Sequence, residues 1–435
     1  MISVDRVKDK AYKSNFKGLK NRGRLIPIFQ HQVRQLREKG ISLLPIKCYK
    51  FILIVLQLLV VLPFIPLIRM LRPLVVMRFG QLNSDRIGHF AANTELYLCE
   101  RDMGMYNRRT LDVFYHSSLI CNHQLKKMWD RTLRVSRFAR PIDMINRWLP
   151  GSESHVIPIP SDRDIHGLLP RTKVHLSFTS DEEHLGTRLL REMGIPANTP
   201  FVCFHARESI YLNSVQPYRD WSHHDYRNTN IDNCIDAVEE LTHHGYYCVR
   251  MGSIVKEALN TDNPKIIDYA AKQRTEFLDI FLGAKCHFFI YSGPSGISEI
   301  PAIFRRPLVC ANQIPIFFVP TIGHNVLFIP KKLWHKTEKR LITFREMVET
   351  GAWKFQRTKN YEEIDLEWIE NTSEEISSLV LEMYESLNGT LQTTDEDDEL
   401  QQRFWAFFPK NEIHGKIVKI RIGADFLRNN KFLLD

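Results

Sequence analysis

The sequence predicts an α/β protein of two units facing a cleft, each a parallel sheet flanked by helices, preceded by a membrane-associated helical segment. Three observations predict it. From Leu74 onward, short apolar runs of strand character alternate with helical stretches, the order that builds parallel sheets. The breaker cluster Gly194-Ile-Pro-Ala-Asn-Thr-Pro200 divides that series in two. Ahead of both lies a basic arm leading into a charge-free apolar stretch.

The arm carries the charge. The 435 residues are 44% hydrophobic and 25% charged, a globular composition long enough for two cores. Residues 1–50 hold 13 of the 59 Lys and Arg and 3 of the 50 Asp and Glu, leaving 46 against 47 elsewhere. The net charge of +9 therefore belongs to the arm and not to the body, and no nucleic-acid partner is expected. Phe51 to Ile68 is apolar and uncharged over 18 residues, the lower limit for a hydrocarbon core of roughly 30 Å. Pro63 is expected to kink or stop that helix, and Pro66 shortens it further. Basic residues stand on both sides, Lys47 and Lys50 before and Arg69, Arg72 and Arg78 after, which suits a segment lying in one leaflet. Residues 1–73 are thus read as an anchor to an anionic membrane surface, the alternative being a core helix of a soluble domain. About 50 mostly polar and basic residues precede the apolar stretch, a poor fit to a signal peptide.

The first unit, residues 74–195, has strands over 74–79 and 111–116, a helix starting near Arg86, a helix over 122–135 and a helix over 182–193. A Pro- and Gly-rich stretch from Pro150 to Pro170 interrupts it. The second unit, residues 196–435, runs strand 201–206, helix 231–244, strand 246–251, helix 276–282, strand 287–292, helix 296–304 and strand 307–312, with further helices toward the C-terminus. That β-α-β-α-β order is Rossmann-like, and such sheets bind ligands beyond the carboxyl ends of their strands. The run Thr394–Leu400 is read as a solvated loop or a helix start. Eight cysteines without a C-x-x-C pair read as small buried hydrophobes in a reduced compartment.

The strongest local signal is Tyr291-Ser-Gly-Pro-Ser-Gly-Ile-Ser-Glu299, set between a strand and a helix. Gly293 and Gly296 allow close backbone approach around Pro294, Ser292 and Ser295 offer hydroxyls, and the helix start directs free N–H groups at an anion. This is the pattern of a diphosphate cradle, with Glu299 placed to accept from a ribose. His205-Ala-Arg207 ends the first strand of the same unit, and an arginine fork suits diphosphate oxygens. Arg250 and Gly252 end the next strand, and Tyr226-Arg227-Asn228 lines the same rim. In the first unit Gly80 to His89 joins strand to helix and groups Asp85, Arg86 and His89. Asp85 or His89 is the candidate base for an acceptor hydroxyl, and Arg86 the candidate for holding phosphate. Asp85 reads equally as a helix N-cap and His89 as a structural histidine. Asp162-Arg-Asp164 matches the short D-x-D pattern but stands outside either nucleotide unit and is read as a solvated loop, so neither a metal nor a cofactor is expected.

These residues resemble a family of bacterial glycosyltransferases that share an Arg-Ile-Gly-His turn, a His-x-Arg strand end, a Tyr-Arg-Asn stretch, an Arg-Met-Gly strand end and a Ser-Gly-Pro-Ser-Gly turn. All five occur here in order, as Arg86–His89, His205–Arg207, Tyr226–Asn228, Arg250–Gly252 and Ser292–Gly296. The donor half is also similar to GT-B fucosyltransferases, whose His-x-Arg strand end implies Arg207 on the donor diphosphate; Glu208, directly adjacent, departs from their pattern. The Ser-Gly turn followed by Glu is similar to that of nucleotide-sugar 2-epimerases as well. The resemblance implies a GT-B architecture and transfer of a sugar from a nucleoside-diphosphate sugar to a polysaccharide, glycolipid or lipid-linked acceptor, at the cytoplasmic face of the inner membrane. The alternatives are a nucleotide-sugar epimerase or hydrolase and a non-catalytic membrane-bound sugar-binding protein.

Overall fold

The computed structural model describes residues 60–106, 109–215, 217, 220–323, 325–409 and 420–435. The basic arm and residues 51–59 of the apolar stretch lie outside them. Helix α1 (Phe64–Met70) begins immediately after Pro63, whose φ of −65° suits a helix start. No helix among the described residues is long and apolar enough to cross a membrane.

The first unit holds β1 (Val76–Leu82), α2 (Ile87–Asp102), β2 (Thr110–His116), α3 (His123–Thr132), α4 (Ala139–Asn146) and α5 (Ser180–Glu192). Strands β1 and β2 pair in parallel from Val76 opposite Thr110 to Leu82 opposite His116. The expected Rossmann-like sheet is reduced here to two strands, widened by single parallel bridges from Phe79 to Val156 and from Phe114 to Val135. Pro158 and Pro160 follow Val156 and have no N–H to continue a ladder, so that edge stops at one bridge.

The second unit is the fuller one. Its strands are β3 (Phe201–Ala206), β4 (Tyr247–Arg250), β5 (Ile266–Ile267), β6 (Phe289–Ser292), β7 (Leu308–Gln313), β8 (Val326–Pro330), β9 (Lys332–His335), β10 (Arg340–Leu341), β11 (Leu366–Ile369) and β12 (Ile420–Ile422). The helices used below are α6 (Ile235–His243), α7 (Glu276–Lys285), α8 (Glu299–Ile303), α9 (Ser373–Asn388) and α10 (Asp395–Ala406). Seven strands form one parallel sheet in the order β12-β8-β7-β6-β3-β4-β5. Strands β6, β7 and β8 are buried throughout, which is why they read as unbroken apolar runs. A small antiparallel sheet, β10-β9-β11, lies outside the expected pattern. The acidic run at 394–400 is a helix start: Thr394 and Asp397 form a capping box on α10.

Helix α2 joins the units. It is buried from Phe90 through Cys99 and packs against α8 of the larger sheet, so its apolar content has no single face. Along it Glu95 and Asp102 both reach His175, at 3.0 Å from Nδ1 and Nε2, while Arg305 of the second unit donates to Glu95 at 2.7 Å. Burial opposes charge on His175, but its bonds to Cys99, Glu95 and Asp102 prevail and raise its pKa to about 10. The folded value lies above the unfolded value of about 6.5, so the stabilisation is complete below that pH and disappears as pH rises through 10. Denaturant unfolding should show stability falling by roughly 3–5 kcal/mol across this window. His175→Gln should flatten the slope, and an unchanged slope would remove the imidazolium from the account.

Candidate functional site

The sheet order sets β3 beside β6, with β4 and β5 on one side and β7 and β8 on the other. The winding reverses between β3 and β6, and the crevice beyond their carboxyl ends is where such sheets hold ligands. His205 pairs with Tyr291 and Ala206 with Ser292, so both sequence motifs emerge at this point.

Each motif residue has a distinct environment. The Arg207 amide donates to the Ser292 carbonyl at 2.9 Å and the Thr229 amide to the Arg207 carbonyl at 3.0 Å, which bolts the three loops together. Gly293 has φ +75°, and a Cβ there would stand 2.3 Å from the Arg227 carbonyl oxygen; no other residue fits. Ser292 is fully buried, and its hydroxyl accepts from Asn312 at 2.9 Å, so it serves the sheet and not the crevice. His205 Nδ1 faces the Met251 carbonyl at 3.0 Å and must donate to it, leaving Nε2 to accept the Ser295 hydroxyl at 3.0 Å. Burial, with Arg250 and Arg207 nearby, lowers the His205 pKa to about 4, so the ring is neutral. Ser295 thereby presents lone pairs, not its proton, to a ligand. What the turn does offer is backbone: no side chain caps the helical turn beginning at Gly296. Pro294 is half-buried beside it.

Arg207 is buried, and its guanidinium donates to the Asn228 side chain and, at 3.3 Å, to the His224 carbonyl. Arg227 donates to the Tyr226 hydroxyl at 2.9 Å and lies over that ring. Among the described residues no carboxylate forms an ion pair with either arginine. Burial and Arg227 lower the Arg207 pKa to about 10. His224 is pushed down to about 3 by burial and by Arg227, His223, Arg207 and Arg86. Arg86, exposed on the first unit, contributes least of these charges. Lys331, which sequence reasoning missed, immediately follows β8: its Nζ donates to the Asn228 carbonyl at 2.6 Å. Burial and Arg207 lower its pKa to about 8, against the opposing pull of Glu370. Its only sequence signal was a lysine at a strand's carboxyl end.

Arg250 is placed differently. It is fully buried with Glu208 at 3.5 Å, Asp268 at 3.4 Å and the Glu257 carbonyl at 2.7 Å, so its charge is already matched. Arg250→Ala should cost about 3–5 kcal/mol in unfolding free energy by stranding those acids, with anion affinity nearly unchanged. Gly252 packs against Val255 and Ala270, where a side chain would press on β4's neighbours.

The two units touch at glycines. A Cβ on Gly88 would lie 2.9 Å from the Gly296 Cα and 3.4 Å from the Glu299 Cγ, so the uncapped starts of α2 and of the Gly296 turn abut. Glu299 keeps one buried oxygen without a partner, and burial, with Asp162 near, raises its pKa well above the usual carboxylate value. His89, on the first turn of α2, has Nδ1 3.6 Å from Asp162 Oδ2, a neighbour that sequence reasoning did not find. Asp164 of the same loop is structural, accepting from the Leu168 and Leu169 amides at 2.8 Å each. Asp85 is exposed beside Cys121 and caps nothing, since Arg86 occupies the N-cap position of α2. Among the described residues one group, Glu95, Cys99 and His175, brings metal-competent atoms together. Its ligand atoms are committed to Arg305 and Asp102, which disfavours a metal there.

No protein-family profile and no curated relative matches the chain. Among solved structures it is similar to the E. coli ADP-heptose LPS heptosyltransferase II, at 13% identity and TM-score 0.32, over 58% of this chain and 90% of that one. It is also similar to a glycosyl transferase family 9 structure from Veillonella parvula, at 10% identity and TM-score 0.36, over 71% of this chain and 98% of that one.

Proposed function

We propose that the chain is a GT-B glycosyltransferase that moves a sugar from a nucleoside-diphosphate donor to a polysaccharide, glycolipid or lipid-linked acceptor. The observation that carries this reading is the pair Arg207 and Arg227 at the switch point of a parallel sheet, neither in an ion pair among the described residues, with Arg86 of the first unit adding positive charge nearby. Asp225 stands near Arg207 without pairing with it, so a diphosphate supplies the ion-pair partner that Arg207 and Arg227 lack among the described residues, and the Ser295–Gly296 backbone adds N–H donors. The likeness of the His205–Arg207 strand end to fucosyltransferases supports the same contact. Asn228 holds Arg207 and Lys331 in place from its two ends.

In the reaction, His89 Nε2 takes the proton of the acceptor hydroxyl as its oxygen bonds to the anomeric carbon. The bond from that carbon to the diphosphate breaks, and the departing charge is met by Arg207, Arg227 and Arg86. Asp162 orients the imidazole. The basic arm and apolar stretch support an acceptor held at a membrane, on the cytoplasmic face.

Labelled nucleotide sugars incubated with the protein, with and without a membrane lipid extract, test this. Consumption that requires the acceptor is expected; consumption without it would replace transfer by epimerisation or hydrolysis. Activity should persist in EDTA, because the charge offered to the diphosphate is guanidinium. Loss restored by Mg²⁺ or Mn²⁺ would bring Asp162 back as a metal ligand.

A further inference from the structure

Helix α1 is apolar but for Arg69, yet the body covers only one face of it. Val61, Ile65 and Ile68 are buried against Ile142, Ile145 and Leu149 and against Phe79 and Ala139. Facing outward are Val60, Leu62, Phe64, Leu67, Met70, Leu71 and Leu74, from 36% to 76% exposed. A surface helix on a soluble body carries polar residues there. On and beside the α4 helix that supports it, Phe138, Met144 and Trp148 are exposed as well, Trp148 at 71%. The pair of helices is rigidly joined: Arg69 donates to the Asn146 side chain at 2.8 Å and to the Pro150 carbonyl at 2.8 Å.

Charge decides what covers this face. Residues 60–74 and 134–150 hold six arginines (Arg69, Arg72, Arg134, Arg137, Arg140 and Arg147) against one acid, Asp143, which is buried and paired with Arg147. A second copy would set arginines against arginines, and the basic arm folded back would do the same. An anionic surface does not. In the sequence the uncharged, mostly apolar residues 51–59 immediately precede Val60.

We infer that the outer face of α1, with Phe138, Met144 and Trp148 of the α4 region, is a docking surface that lies in the interface of an anionic lipid bilayer without crossing it. The apolar side chains enter the acyl boundary, and Arg72, Arg137 and Arg140 meet lipid phosphates. The inference is independent of the donor site, because none of these residues contacts Arg207 or its cluster.

Co-sedimentation of the full-length protein with phosphatidylcholine vesicles, with and without 30% phosphatidylglycerol as roughly a physiological anionic load, tests it. Phe64→Ser/Leu67→Ser/Met70→Ser should weaken binding to the anionic vesicles at least tenfold, with an unchanged thermal midpoint, since these side chains are exposed. Arg137→Glu/Arg140→Glu should weaken binding to anionic vesicles and leave binding to neutral ones alone, which keeps the test open should the triple variant misfold. Nucleoside-diphosphate affinity should stay constant in both. Vesicle binding by the well-folded triple variant equal to the parent's would overturn the inference, as would a parent dimer that the same substitutions turn into a monomer without changing lipid affinity.

Discussion

His89→Ala should lower turnover by about 10²- to 10⁴-fold while leaving nucleoside-diphosphate affinity intact, the loss expected when a positioned base is removed. The choice among histidines follows from their bonds. Both nitrogens of His205 are engaged, by Met251 and Ser295, and its burial keeps it neutral. His224 sits within the arginine cluster with a buried Nδ1 that has no partner, so it belongs to the anion side. His89 is part-exposed at the contact of the two units, with Nδ1 toward Asp162 and the other nitrogen directed away from it. Asp162→Asn should cost turnover on the order of tenfold, because a 3.6 Å approach is looser than a formed hydrogen bond. Its effect should fall on kcat with KM for donor unchanged, and Asp162→Glu should recover part of it. Initial rates at saturating donor decide this; a rise in KM alone for either variant would move His89 and Asp162 out of the chemistry.

Arg207→Ala should weaken nucleoside-diphosphate binding ten- to a hundredfold, since a charge-assisted bond contributes about 1.5–3 kcal/mol. The geometry argues for the upper part of that range. Arg207 holds its charge against burial and against Arg227, a strain that a bound anion relieves. Arg207→Lys should rescue poorly, because one ammonium cannot satisfy Asn228 and grip two phosphate oxygens together. The free protein should lose little stability, as the substitution also removes the repulsion with Arg227.

The sheet was legible where strands are long and buried on both faces: β3, β6 and β7 stand within two residues of the runs 201–206, 287–292 and 307–312. Strands β5 and β12, of two and three residues, carry no apolar period of their own and exist because a neighbour pairs with them. The first unit read as a larger sheet because two good strands and their helices are present, while Pro158 and Pro160 limit the rest. At the site, sequence position located the strand ends but not the partners. Arg207 and Arg250 end adjacent strands alike, yet Glu208 and Asp268 neutralise the second and no described acid pairs with the first. Ser292 and Ser295 read alike in the motif; one is sealed beneath Asn312, and the other gives its proton to His205. Asp162 was seen only as part of a loop, and Lys331 not at all, because residues 73 and 103 positions away supply their neighbours.

Calorimetric titration of the parent and of Arg207→Ala with ADP, GDP and UDP tests the central claim most directly. The account predicts that the parent binds at least one of them and that Arg207→Ala binds the same nucleotide at least tenfold more weakly. Equal affinity in the two proteins would contradict it, and with it the assignment of the switch-point crevice as the donor site.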